Sequence, residues 1–303
     1  MAVPMIVCAD PTVLAEPESA DPESAKRVMP WDVPALSQTP EVHATTERPA
    51  NGMRSFFYEG ADYKGKPTWV FAYYAAPEGK PPEGGWPAVV CAHGGGGTAF
   101  PAWVRQWNKN GYAAIAMDLE GHLPGGNHFG VQGNHPADQP HENAGPKRIG
   151  WAGDIALPDN EQWFYHAVAD VIRANSLLRS YPDINKDKIG LTGISWGGTI
   201  VSAVAGVDPR FVFVIPVYGG GYIHKHEMTP EQYREYLAKW DPSAHLPYAK
   251  MPMLWVSGFN EPVFPLSASK PLPAGTTAFM IVARGGGVWG DGCVNSVLVE
   301  VKP

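Results

Sequence analysis

Lys188-Ile-Gly-Leu-Thr-Gly-Ile-Ser195-Trp-Gly-Gly198 is an apolar run that ends in a serine between glycines. The run reads as a buried strand, and Thr199 to Ala205 reads as a helix entered almost at once. A strand that turns so sharply into a helix has no room for side chains at either flank. Gly193 and Gly197 stand at those two positions. The turn raises a single hydroxyl, that of Ser195, clear of the sheet edge. A chain with 34 glycines can produce this pentapeptide by chance, so its context carries the argument.

That context lies about a hundred residues upstream. Pro87-Ala-Val-Val-Cys-Ala92 reads as a second buried strand, and His93-Gly94-Gly95-Gly96-Gly97 follows it directly. A loop of this type supplies a backbone N–H to an oxyanion hole, and the residue after the serine supplies another. The donors are then Gly95 or Gly96 and Trp196. Glycines let the backbone approach a substrate oxygen and tolerate positive φ.

The 303 residues suit one large α/β domain, preceded by a segment of different composition. Residues 1–52 are rich in Pro, Glu, Ser, Ala and Thr and read as an extended lead-in anchored by Trp31, and residues 53–303 as the domain itself. A net charge of −7 with no basic stripe argues against a nucleic-acid partner. No apolar run is long enough to span a membrane. Cys8, Cys91 and Cys293 are odd in number and far apart, so neither a disulfide framework nor a zinc site is expected. The apolar start, Met1 to Ala9, lacks a basic n-region and reads either as the remnant of a signal peptide or as an irregular N-terminus, which leaves the compartment open; the sequence also leaves the oligomeric state open.

Along the domain, Met53–Glu59 and Pro67–Ala76 read as an antiparallel pair of strands. Phe100–Asn110 reads as a helix with Trp103 and Trp107 on one face, and Tyr112–Met117 as a strand closed by Asp118. Residues 119–155 form a long irregular stretch with four of the ten histidines, His122, His128, His135 and His141. Further on come a helix over Asn160–Tyr181, a strand over Phe211–Val217 and a helix capped by Thr229 with Pro230 at its first position. Strands over Met251–Ser257 and Thr276–Ala283 follow. This alternation predicts a mostly parallel central sheet with helices on both faces.

His93-Gly-Gly-Gly-Gly-Thr-Ala-Phe100, Gly111–Asp118, Ile189–Gly198 and Met253–Gly258 with Asn260-Glu261 together resemble the α/β-hydrolases. The likeness is to the acetyl-xylan-esterase-like and prolyl-oligopeptidase-like branch, and it runs from about residue 53 to about 283. It implies an α/β-hydrolase fold and carboxylic ester hydrolysis without cofactor or metal. The implied substrates are small acyl esters or acetylated carbohydrates. Ser195 is then the nucleophile. The acid belongs after strand 251–257, where similar proteins have an Asp and this chain has Glu261, with Asn260 beside it as a fallback orienting group.

The base is the gap. Similar proteins place a histidine just after the strand at 276–283, following an Arg that matches Arg284. Here the chain reads Gly285-Gly-Gly-Val-Trp-Gly-Asp-Gly-Cys293, and no histidine follows His245. Three explanations compete: an altered reading frame or truncation, a base from another loop, or impaired catalysis. His224 and His226, after strand 211–217, are the candidate substitutes. His93 is expected to brace the glycine loop, His166 and His245 to be structural, and the histidines of 119–155 lack any zinc motif. Trp103, Trp107 and Trp151 are either pocket lining or ordinary packing. Besides a serine esterase, the alternatives are a hydrolase-fold binding protein lacking the triad histidine and a peptidase or amidase of the prolyl-oligopeptidase type. No propeller-like segment supports the last of these.

Overall fold

The computed structural model describes residues 27–125, 139–150, 152–221, 228–258, 278–284 and 295–301. In chain order the strands are β1 Val42–Ala44, β2 Arg54–Glu59, β3 Trp69–Ala75, β4 Trp86–Ala92, β5 Ala113–Met117, β6 His122–Leu123, β7 Gln139–Pro140, β8 Ile184–Ile194, β9 Val214–Val217, β10 Met253–Gly258, β11 Ala278–Arg284 and β12 Asn295–Val301. The helices are α1 Val33–Leu36, α2 Pro101–Lys109, α3 Trp163–Ser180, α4 Trp196–Val207, α5 Pro230–Lys239 and α6 Pro242–His245.

Ten strands make one sheet in the order β1-β2-β3-β5-β4-β8-β9-β10-β11-β12. The six from β5 to β11 run parallel, and antiparallel strands flank them at both sides. The parallel strands are apolar runs because both of their faces are covered. On β4, Ala88, Val90 and Ala92 join the core under α3 and α4, while Val89 and Cys91 join a second core with Val104 of α2. One strand therefore feeds two cores through its period of two, and the helices lie on both faces as the alternation predicts.

The lead-in contributes to the body. Its β1 pairs with β2, and Trp31 is buried, donating through its indole N–H to the Tyr165 carbonyl at 2.9 Å. Thr229 caps α5 in a reciprocal capping box with Gln232. At the far side, residues 295–301 form an antiparallel strand on β11 where the sequence suggested only a tail without a helix.

The strand order reverses at β4. The chain moves from β4 through α2 to β5 on one side, then crosses by α3 to β8 on the other. Crevices at such a switch point, outside the carboxyl ends of the strands, are where ligands bind in open α/β sheets. Here the two strands at the switch point are the one before the glycine loop and the one before Ser195.

Candidate active site

The register pairs Ala92 with Gly193, so β4 and β8 end side by side. The loop that begins at His93 and the turn that holds Ser195 are forced into contact. Ser195 has φ 57° and ψ −122°, a conformation that L side chains rarely adopt. Its N–H donates to the Val217 carbonyl at 2.9 Å, and its carbonyl accepts from Thr199 at 3.0 Å. The residue sits at the N-cap of α4, yet its hydroxyl makes no capping bond. Neighbouring backbone therefore fixes the serine while its side chain stays out of helix capping.

The flanking glycines are required by close approach. A side-chain carbon on Gly197 would fall 2.3 Å from the Ala92 carbonyl oxygen, and one on Gly193 would fall 2.4 Å from the Gly197 oxygen. Helix α4 therefore starts directly on the end of β4. A carbon on Gly94 would lie 3.0 Å from Ser195 Cβ, which puts the glycine loop against the serine.

The loop itself is a turn, with the Gly97 N–H donating to the Gly94 carbonyl at 2.9 Å and Gly96 at φ 69°. His93 is buried and braces the turn, as the sequence suggests. Its Nε2 accepts from the Leu119 N–H at 2.8 Å, so the neutral ring carries its proton on Nδ1, which donates to the Gly94 carbonyl at 2.6 Å. Both ring nitrogens are engaged, which leaves His93 no role as a base for Ser195. The Gly96 N–H donates to Glu120 Oε1 at 2.9 Å. Of the two glycines expected as loop donors, Gly96 is thus engaged by the carboxylate.

Glu120 is a residue that the sequence reading passed over. It is 3% exposed, and the same oxygen also accepts from Arg148 Nε at 3.0 Å. The Arg148 guanidinium lies 5.8 Å from the Trp196 ring and 5.9 Å from the Trp163 ring. The signal was present only as a charged pair inside the long stretch 119–155, and nothing local ties Arg148 to the glycine loop.

The remaining expectations fall as follows. Glu261, Asn260, His224, His226, His128, His135 and Trp151 lie outside the described residues. Among the described residues, no histidine is hydrogen-bonded to the Ser195 hydroxyl. His122 is buried at the start of β6, and its N–H donates to Asp118 Oδ1 at 2.8 Å. His141, His166, Asp118 and Asp170 line a small cavity of about 10 Å³ beside β3. Burial lowers the pKa of His141 and of His166 to about 4. His245 is fully buried, accepts from Arg27 Nε at 3.1 Å and donates to the Lys239 carbonyl at 2.8 Å. Trp103 and Trp107 pack on the α2 face of the sheet against Phe100 and Tyr112. Cys91 is a core residue whose thiol pKa burial pushes far up. Among the described residues, Glu41, His43 and Glu59 gather ligand-type atoms within 4.8 Å of one another, at the β1–β2 edge rather than at the serine. No described helix is long and apolar enough to cross a membrane.

A serine on a strand-to-helix elbow, beside a glycine loop at the switch point of a mainly parallel sheet, defines an α/β-hydrolase. The family model of acetyl xylan esterase (AXE1) matches residues 51–237. The chain belongs to that family, and with it to the carboxylic ester hydrolases. Its fold is similar to that of an acetyl xylan esterase from Paenibacillus sp. R4, with a TM-score of 0.61 at 22% identity over 84% of this chain and 85% of the other. It is also similar to acetyl xylan esterase 1 from Thermoanaerobacterium sp. JW/SL YS485, with a TM-score of 0.60 at 16% identity over 84% of each chain. The acylaminoacyl peptidase of Pyrococcus horikoshii gives a TM-score of 0.53 at 16% identity. There the match covers 78% of this chain but 38% of the longer peptidase.

Proposed function

We propose that this chain is a serine esterase that removes small acyl groups, acetyl foremost, from carbohydrate or other small esters through an acyl-enzyme on Ser195. The observation that carries the reading is the placement of Ser195, at φ 57° on the elbow, against the Gly94 end of the glycine loop. The Ser195 oxygen attacks the ester carbonyl as a base takes its proton. The tetrahedral oxyanion is held by the N–H groups of Gly95 and Trp196, the latter at the N-terminus of α4 where the helix dipole favours negative charge. Collapse expels the alcohol, which receives the proton from the base. Water then repeats the sequence on the acyl-enzyme and releases the carboxylic acid.

Glu261 is assigned as the carboxylate that orients the base, and His224 or His226 as the base. The acetyl substrate class is supported by membership of the acetyl xylan esterase family and by the likeness of the fold to that of two acetyl xylan esterases.

Hydrolysis of p-nitrophenyl acetate by the full chain and by Ser195→Ala tests the proposal, with fluorophosphonate labelling read by mass spectrometry. Turnover and label should both vanish in Ser195→Ala, and His224→Ala or His226→Ala should then identify the base. Equal background rates and no label on either protein would sink the esterase reading and favour a hydrolase-fold binding protein.

A further inference from the structure

We infer that Arg148 and Glu120 form a clamp that positions the two halves of the oxyanion hole; this rests on the esterase reading above. The halves come from distant parts of the chain, Gly95 after β4 and Trp196 at the start of α4. Nothing in the backbone ladder fixes their separation beyond the pairing of Ala92 with Gly193. Arg148 touches both. A carbon built on Gly95 would meet Trp196 Cδ1 at 2.7 Å and Arg148 Nη2 at 2.8 Å, so Gly95 lies close against both groups, and the guanidinium carbon is 5.8 Å from the Trp196 ring centre.

Glu120 holds the guanidinium and the loop with one oxygen. Oε1 accepts from Arg148 Nε at 3.0 Å and from the Gly96 N–H at 2.9 Å. The latter bond pins the Gly95–Gly96 peptide. In a turn made of glycines, that peptide otherwise rotates at little cost, because neither residue has a Cβ to resist it. A rotated peptide would turn the Gly95 carbonyl away from its present direction and disturb the donor beside it.

The pair is well placed to be rigid. The Glu120 side chain is 3% exposed and that of Arg148 is 22% exposed. Arg148 Nη1 also donates to the Gly150 carbonyl at 2.6 Å, and its guanidinium carbon lies 5.9 Å from the Trp163 ring centre and 5.8 Å from that of Trp196. A guanidinium can donate to Glu120 through Nε and to Gly150 through Nη1 in one fixed fork, which a lysine ammonium does not reproduce. The charge near the hole is therefore a positioning device whose loss weakens the transition state more than ground-state binding.

Steady-state kinetics with p-nitrophenyl acetate on the full chain provide the test, using Arg148→Ala, Arg148→Lys and Glu120→Gln, with thermal unfolding of each variant alongside. Arg148→Ala should lose roughly a hundredfold in kcat, the scale of one lost oxyanion donor, with KM changed by no more than about threefold. Arg148→Lys should not restore the rate, because it returns the charge without the fork. Glu120→Gln keeps an acceptor oxygen for both N–H groups and should lose less than about tenfold. Added methylguanidinium should recover part of kcat in Arg148→Ala. Unchanged kcat in Arg148→Ala, a loss confined to KM, or full rescue by lysine would each overturn the clamp. If Arg148→Ala does not fold, Arg148→Lys decides: a loss in kcat supports the clamp, and wild-type kcat or a loss confined to KM overturns it. A wild-type protein with neither Ser195-dependent turnover nor label removes the esterase reading and the clamp together; an active wild type matched by Arg148→Ala removes the clamp alone.

Discussion

Replacing Ser195 by glycine should stabilise the protein relative to replacing it by alanine, although both lose turnover under the proposed function. The native residue stands at φ 57°, ψ −122°, a region open to glycine and strained for any residue with a Cβ. Such strain costs about 1–3 kcal/mol. Alanine keeps the Cβ and the strain. Because the Ser195 side chain makes no capping bond, alanine also loses no cap. Glycine releases the strain but loses about 0.4–1 kcal/mol through the greater freedom of its unfolded chain. The net expectation is a glycine variant more stable than the alanine variant by roughly 1 kcal/mol. Urea unfolding of the two variants measures this as a shift in midpoint at constant slope. A glycine variant less stable than alanine by about the entropic handicap alone would refute the argument, because the positive φ would then store nothing.

Gly197→Ala gives an equally direct test of close packing. Helix propensity alone predicts a gain of up to about 1 kcal/mol, whereas a carbon 2.3 Å from the Ala92 oxygen predicts a loss of about 1–3 kcal/mol and displacement of Ser195. The sign of the change in unfolding midpoint decides between them. The pH dependence of stability follows from the buried histidines. His166 and His245 are neutral in the fold, with pKa values lowered by burial from 6.5 to about 4. The unfolded chain takes up protons on these residues as pH falls through 6.5 and the native state does not. Stability present at neutral pH is therefore lost between 6.5 and about 4, by up to about 3 kcal/mol per residue. Asp170, whose pKa burial raises, acts in the opposite sense. In His245→Gln, whose amide can both accept from Arg27 and donate to Lys239, the acid-side loss measured by urea titration from pH 7 to pH 4 should shrink; an unchanged slope would rule out the assignment.

Much of this protein is legible without coordinates, for local reasons. The apolar runs at 87–92 and 188–194 are strands because both faces of a parallel sheet are covered, and Gly193 and Gly197 announce a turn too tight for side chains. Thr229 as N-cap with Pro230 at the first helical position marks its own helix start, and the structure adds a reciprocal bond with Gln232. The edge strand at 42–44 was hidden in the lead-in because three residues carry too little periodicity to separate from irregular chain. The strand at 295–301 alternates only weakly and follows a glycine run, so it read as a tail.

The sequence by itself determined the elements and the chemistry each can carry: a serine on an elbow, a glycine loop behind a strand, and a family resemblance that fixes the fold. Those are properties of short windows, in which spacing and residue type are enough. Tertiary structure alone decided which windows meet. It set Ala92 beside Gly193, gave the Gly96 N–H to Glu120 and brought Arg148 against both Gly95 and Trp196. Such contacts depend on strand order and on the path of an irregular segment, and neither is encoded in the local pattern of the residues that finally touch.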